Sequence, residues 1–380
     1  MRTYMSHDLA IIGGHVIDPA SGLDAVTDIA FKNGQVSAID ADAGTGAEGI
    51  IKADGLYVTL GLIDLHTHIY WGGTSLGVDP DAYMRQSGCT TLVDAGSAGS
   101  DNFHGLRAHI VEQSEARVLA YINASFAGIF AFSLAVMVGE FGDVRLLNPM
   151  EVVRVGNEHR DVIVGVKVRI GLVPSGGIGV APLDIAIESA DVLGMPIMAH
   201  LNHPPPSRME MLSGLRPGDV LTHCCRPFPA APMTMDGRVR DEVLAAKEMG
   251  IIFDIGHGKG SFSWQVAEAM MAAGLPPDCI SSDVHTMSLP GPAVDQLVTL
   301  SKFPHLGMDL SDIIAASTIN PAKAMGRPEL GGLAVGRPGD ATLLRIDDGA
   351  FGLTDANGVT VEARRRLARA GIARNGAILR

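Results

Sequence analysis

Cysteine is scarce in this chain: four residues in 380, Cys89, Cys224, Cys225 and Cys279. Two of them are adjacent and no pairing framework emerges. A disulfide-stapled scaffold is therefore excluded, and reduced thiols in a cytoplasmic protein are expected. The first residues, MRTYMSHDLAII, lack the long apolar core of a signal peptide, which fits that location. Positive charge is also in deficit. Against 42 Asp and Glu there are 29 Lys and Arg, a formal net charge of −13. That balance argues against nucleic acid and anionic membrane as partners, although a few local cations could still hold a small anion. Charged residues reach only 19% against 47% apolar, a composition able to bury a large core. At this length one large domain with a smaller companion is expected.

Charge is missing altogether from Val118 to Gly139. The stretch is long enough to suggest a membrane helix. Asn123, Ser125, Gly128 and Ser133 interrupt it, however, and no Lys/Arg cluster flanks it. It reads as a buried strand followed by an apolar loop or helix, with no membrane partner. A glycine-rich phosphate fingerprint is absent after the first strand of the middle region, so a doubly wound open sheet lacks its usual support.

What is present is a repeated alternation. Residues 8 to about 58 carry strand-like runs with turn signals, and Lys32-Asn33-Gly34-Gln35 reads as a tight hairpin. The chain's end behaves similarly, with DATLLRI, VTVEARR and ARNGAILR. Two β-rich ends suggest one small β-sandwich built from residues 1–58 and 330–380. Between them, residues 59–329 hold eight apolar β-type runs: YVTLGLIDLH, CTTLVDAG, RVLAYINAS, VIVGVKVRI, MPIMAHL, DVLTHCC, IIFDIGH and CISSDVH. Helical stretches such as PLDIAIESADVLG and DEVLAAKEMG lie between them. Alternating units imply a parallel sheet, and eight of them suggest a closed (β/α)8 TIM-type barrel with its site at the strands' C-terminal ends.

The run ends carry the chemistry. His66-Thr67-His68 closes the first, Asp94 lies in the second and Asn123 in the third. Lys167 sits inside the fourth, where a lone ammonium would cost several kcal/mol unless paired or neutralised. His200 and His223 follow in runs five and six, Asp254 and His257 in run seven, and Asp283 and His285 in run eight. Period-2 geometry puts His66 and His68 on one side of an extended chain, where two imidazoles can hold one metal ion. Asp283 would stand beside that ion, placed to take a proton from water. A structural salt bridge between Lys167 and Asp94 is the plain alternative for the lysine.

GLIDLHTH, TINPAKAMG (318–326) and GGLAVGRPGDATLL (331–344) together resemble the amidohydrolase superfamily, and the resemblance covers nearly the whole chain. It implies a binuclear metal-dependent hydrolase of amide or ester bonds. His66, His68 and Asp283 would hold one divalent ion, zinc by default, and His200 and His223 a second. Lys167, carbamylated by CO2, would bridge the two. Hydrolysis would proceed through a metal-bridging hydroxide, with Asp283 as the base.

The closest likeness is to the dihydroorotase-like branch, particularly predicted deacetylases. HTHIYWGGTS lacks the arginine that holds a carboxylate soon after HxH in true dihydroorotases. Tyr70 and Trp71 suggest an apolar wall instead. Arg169, two residues past Lys167, is the first choice for a substrate carboxylate. Lys259, His257 and His285 are further candidate substrate contacts; Arg226 is a weaker one, and His203 reads as a loop residue. The expected substrate is a small acylated carboxylic acid, an N-acetyl amino acid or an O-acetyl hydroxy acid. Alternatives are a cyclic amide or imide opener, a deaminase, or a barrel kept as a non-catalytic interaction module. A homo-oligomer is compatible with all of these.

Overall fold

The structure, a computed structural model, describes residues 7–379. Residues 1–6 of the expected first β-segment, and Arg380 at the end of the second, lie outside this range. The two chain ends build one sheet. Its N-terminal strands are β1 (His7–Asp18), β2 (Leu23–Lys32), β3 (Gln35–Asp40), β4 (Ala47–Lys52) and β5 (Tyr57–Leu60). The β2–β3 turn is the expected hairpin, with Asn33 at φ 51° and Gly34 at φ 76°, the left-handed pair such a two-residue turn requires.

At Gly61 the chain leaves this sheet for a second one. Its seven parallel strands are β6 (Leu62–Thr67), β7 (Cys89–Ala95), β8 (Arg117–Asn123), β9 (Ile163–Ile170), β10 (Ile197–Leu201), β11 (Val220–Thr222) and β12 (Ile252–Asp254). They pair in chain order and curl into one layer. The chain then returns to the first sheet through β13 (Ala341–Thr354), β14 (Thr360–Arg374) and β15 (Ala377–Leu379), with β13 antiparallel to β5.

Run one is thus two strands in different sheets, and run eight is no strand. CISSDVH touches its neighbours through isolated parallel bridges, Asp254 with Cys279 and Thr67 with Val284. Its register is set by a side chain instead. The Asp64 carboxylate accepts from the Ser282 amide (3.0 Å), the Ser282 hydroxyl (2.5 Å) and the Tyr83 hydroxyl (2.8 Å). Serine hydroxyls that find such local partners compete with a ladder.

The uncharged stretch begins as buried β8 and continues as a loop. Residues 131–138 fold into a small hairpin, closed by Ser133 N to Val136 O (2.9 Å) and Val138 N to Ala131 O (2.9 Å). Its outer residues Leu134, Val136 and Met137 are exposed. Among the described residues no helix is long and apolar enough to cross a membrane.

Separate hydrophobic clusters hold the sheets, and the largest, around Leu92, Ile122, Val166 and Val168, packs the parallel strands against helical residues such as Leu183 and Ala186. Alternate residues Ile63 and Leu65, Val93 and Ala95, Leu119 and Tyr121 join Met198 and Val220 in one cluster, reached by Ala322 and Met325 at the helix Ile319–Ala324. That plug fills part of the curled sheet and leaves the strands' C-terminal ends free for polar groups. The end sheet has its own core around Ile11, Ile29, Phe31 and Val58.

Candidate metal centre

His66, His68, Lys167, Arg169, His200, His223, Asp283 and His285 line one small cavity of about 40 Å³, together with Leu76, Ile129 and Phe132. His66 Nε2 and His68 Nε2 lie 3.4 and 3.3 Å from the same Asp283 oxygen. His200 Nδ1 meets His223 Nε2 at 2.7 Å. Lys167 Nζ is 3.4 Å from His66 Nε2, between the two groups. The strand ends bring these residues together, and two of them take unusual backbones: His223 at φ 65° and Asp283 at φ 49°. Strain of this kind collects where surrounding structure over-determines a functional side chain.

Each imidazole is oriented by its far nitrogen. His66 Nδ1 meets the Thr222 hydroxyl (2.8 Å), which donates to Asp254 (2.7 Å). His68 Nδ1 meets Ser97 Oγ (2.9 Å). His223 Nδ1 donates to Gly256 O (2.6 Å). In all three the Nε2 atom is left facing the cavity, the second-contact arrangement typical of metal-ligating histidines. Gly256 permits it: a Cβ there would stand 2.3 Å from Thr222 Oγ1 and 2.8 Å from His223 Nδ1.

Burial sets the charge states. It holds His66, His200 and His223 well below the ordinary histidine range and His68 at about 3, so their lone pairs are available. The same cause lowers Lys167 to about 7 and raises Asp283 to about 6. Lys167 is fully buried, and among the described residues it forms no ion pair. Asp94 is no partner for it. That carboxylate accepts from the amides of Ser97 (2.7 Å) and Ile69 (3.0 Å). The donor set of neutral imidazoles, a carboxylate and a buried amine fits divalent ions; within it His66, His68 and Asp283 have ligand atoms that all lie within 4.8 Å of one another.

Arg169 reaches the cavity but is already engaged, 2.9 Å from buried Glu140 and under the Phe132 ring at 4.8 Å. His285 lines the wall, its ring 6.2 Å from that of His68. Arg226 stands closer than its sequence position suggests, Nη1 3.2 Å from His200 Nε2.

Four expected contacts, Tyr70, Trp71, His257 and Lys259, are elsewhere. The Tyr70 ring turns away and its hydroxyl donates to Asn102 O (3.2 Å), because the chain bends after His68 and strand parity ends. Trp71 is exposed. The apolar wall is supplied by Phe132, Ile129 and Leu76. His257 is buried away from the cavity, with Nε2 2.5 Å from Lys302 Nζ, since it follows β12 after two residues of non-extended chain. Lys259 is exposed and lines a separate cleft of about 970 Å³ beside the β13–β14 hairpin. His203 is an exposed loop residue, and Cys224 and Cys225 are buried free thiols. Thr222, Ser97 and Glu140 were not signalled by the sequence; a hydroxyl in a strand, a hydroxyl in the bend after one and a glutamate in a loop are ordinary.

Comparison with known proteins adds the lineage. The pattern of the Amidohydrolase family matches residues 265–363. A deacetylase of Brucella anthropi is 37% identical over 337 residues, 88% of this chain and 83% of its own length. A deacetylase of Agrobacterium fabrum is 37% identical over 322 residues, 85% of this chain and 78% of its own. Among solved structures, an adenine deaminase superposes with a TM-score of 0.92 at 29% identity, covering 98% of this chain and 99% of that one. A dihydroorotase does so with a TM-score of 0.89 at 32% identity, covering 98% of both chains. Likeness of this extent, running through both sheets and the cavity between the strand ends, makes the chain a member of the amidohydrolase family of hydrolytic enzymes, on its deacetylase-like side.

Proposed function

We propose that the protein is a divalent-metal-dependent deacylase of small carboxylic acids, acting on N-acetyl amino acids or O-acetyl hydroxy acids. In this reading residues 59–329 form a (β/α)8 barrel that run eight closes, and residues 1–58 and 330–380 form one β-sandwich beside it. The observation that carries the proposal is Lys167, an amine buried without a carboxylate among four histidines whose lone pairs face one cavity.

His66, His68 and Asp283 would hold one ion and His200 and His223 a second, with Lys167 as a carbamate between them. Two bound divalent ions would supply Lewis acidity toward the scissile carbonyl and a water acidified toward neutral pH. Asp283, beside the first ion, would accept that water's proton and return it to the leaving group. Arg169, held by Glu140 and capped by Phe132, offers its remaining N–H groups to a substrate carboxylate. Leu76, Ile129 and Phe132 would seat an apolar side chain.

A second reading, opening of a cyclic amide or deamination, is favoured by the dihydroorotase and adenine deaminase likenesses. A screen of zinc-loaded protein separates them. Acetylated D- and L-amino acids and acetylated hydroxy acids are expected to be turned over. Turnover confined to hydantoins, lactones or aminopurines would overturn the deacylase reading. Metal loading in 13C-bicarbonate should label Lys167, and its absence there in fully loaded protein would remove the carbamate.

A further inference from the structure

The β13–β14 hairpin runs from the end sheet to the far end of the parallel sheet, and its tip is not left in solvent. Ala356 N donates to Phe262 O (2.9 Å) and Trp264 Nε1 to Leu353 O (3.1 Å). The buried Asp355 carboxylate accepts from Trp264 N (3.1 Å). Lys302 lies under this tip, buried and, among the described residues, in no ion pair. It donates to Thr354 O and to His257 Nε2, both at 2.5 Å, and sits over the Phe262 ring at 4.9 Å. Phe262 in turn stacks on His257, centroids 4.8 Å apart. A hairpin carbonyl, an ammonium and an imidazole thus form one continuous chain of contacts.

That chain ends at the candidate metal centre. The backbone at His257 and Gly258 runs beside run eight: His257 N donates to Ser281 O (3.2 Å) and Gly258 N to Ser282 O (2.8 Å). Gly258 has φ 49°, and a Cβ on it would fall 2.1 Å from Asp283 Oδ2. The Gly258 backbone is therefore the surface on which the Asp283 carboxylate rests. Run eight has only a few backbone bonds, Asp283 N to His66 O (2.7 Å) and His68 N to Val284 O (2.9 Å) on one side and those of residues 257–258 on the other, so a group that fixes residues 257–258 secures one of the two sides that hold Asp283.

We propose that the tip of the β13–β14 hairpin is a positioning device for Asp283, acting through Lys302 and His257. Lys302 and His257 are positioning residues here; neither touches the cavity. The kinetic half of this proposal rests on the deacylase reading, and the structural half does not. Two variants test it: Lys302→Met, which keeps the stem but loses both hydrogen bonds, and Asp355→Asn, which keeps the shape of the tip and guards against a Lys302 variant that fails to fold.

Hydrogen exchange by mass spectrometry should quicken in peptides covering 255–264 and also 279–286. With an acetylated substrate, kcat should fall roughly 10- to 100-fold while KM stays within about two-fold, the mark of a displaced reacting group. Faster exchange confined to 353–358 and 262–264, with 279–286 unchanged, would overturn the proposal. So would unchanged kcat in both folded variants of an active enzyme. If the wild type hydrolyses no acyl substrate, the deacylase reading falls, and the exchange pattern in 279–286 still decides the positioning role.

Discussion

At the residue scale, the hydroxyl of Thr222 carries more than its size suggests. It joins His66 Nδ1 to Asp254, whose other oxygen accepts from Ser281 Oγ at 2.6 Å. Thr222→Val keeps the shape and removes the link. His66 then loses the bond that fixes its ring and tautomer, and Asp254 loses a donor inside the protein. Outer partners of this kind are worth about 10- to 100-fold in metal affinity, and an orphaned buried donor costs about 1–3 kcal/mol. Zinc affinity measured against a competing chelator should weaken by that factor, with a lower urea midpoint; unchanged affinity would mean that the ring is held by packing alone. That His66, His68, Lys167, His200, His223 and Asp283 share one cavity was legible in the sequence, because imidazoles and an amine at the ends of apolar runs are rare and costly. Thr222 and Ser97 were not, because a hydroxyl in a strand or in the bend just after one is ordinary. His257 and Tyr70 misled because each follows the last extended residue, where alternation no longer says which way a side chain points.

At the element scale, runs two to five became strands β7 to β10 with little change, since each is a continuous apolar run bounded by turns. Runs six and seven shortened to three residues each, because the chain turns sharply at His223 and Gly256 to present its ligand atoms. Run eight shows what replaces a ladder. Asp64, at the centre of GLIDLHTH, accepts from the Ser282 amide through one oxygen and from the Ser282 and Tyr83 hydroxyls through the other. Asp64→Ala would leave the Ser282 amide without its acceptor in a dry interior, and the Tyr83 and Ser282 hydroxyls would keep only each other (2.9 Å) and the Val284 amide (3.0 Å). The expected loss is roughly 2–4 kcal/mol of unfolding free energy. Run eight should also loosen, reported by faster exchange of residues 279–286. A variant within about 0.5 kcal/mol of wild type would show that the two isolated bridges suffice.

At the scale of the whole molecule, the joining of both chain ends in one sheet was legible from their shared turn-rich β pattern. The reach of the β13–β14 hairpin was not, because ARRRLARAG has no clean alternation to mark a buried face. What the sequence composition could not show is how unevenly titratable groups are buried, and this sets the pH response of the metal-free protein. Burial lowers seven histidines: His66, His68, His159, His200, His223, His257 and His285. It raises five carboxyls: Asp64, Glu140, Asp254, Asp283 and Asp295. The two sets oppose each other. Between about pH 6.5 and 4 the unfolded chain protonates histidines that the fold keeps neutral, so stability falls with pH. The raised carboxyls bind protons in the fold first and favour it in the same range. The histidines outnumber the carboxyls, so the net expectation is a loss of stability on acidification. Above pH 7 Lys167 and Lys302, both lowered to about 7, are neutral in the fold and still charged when unfolded, so stability keeps rising until the buried thiols Cys89, Cys224 and Cys279, which the fold keeps protonated, ionise in the unfolded chain. Urea midpoints of chelated protein should therefore climb from pH 4.5 to about 8.5. Metal should raise the midpoints and steepen the acid limb, because a bound ion keeps Asp283 ionised and is lost as its ligands take protons. A midpoint that rises on acidification would mean that the carboxyls outweigh the histidines, and the neutral-imidazole basis of the metal centre would go with it.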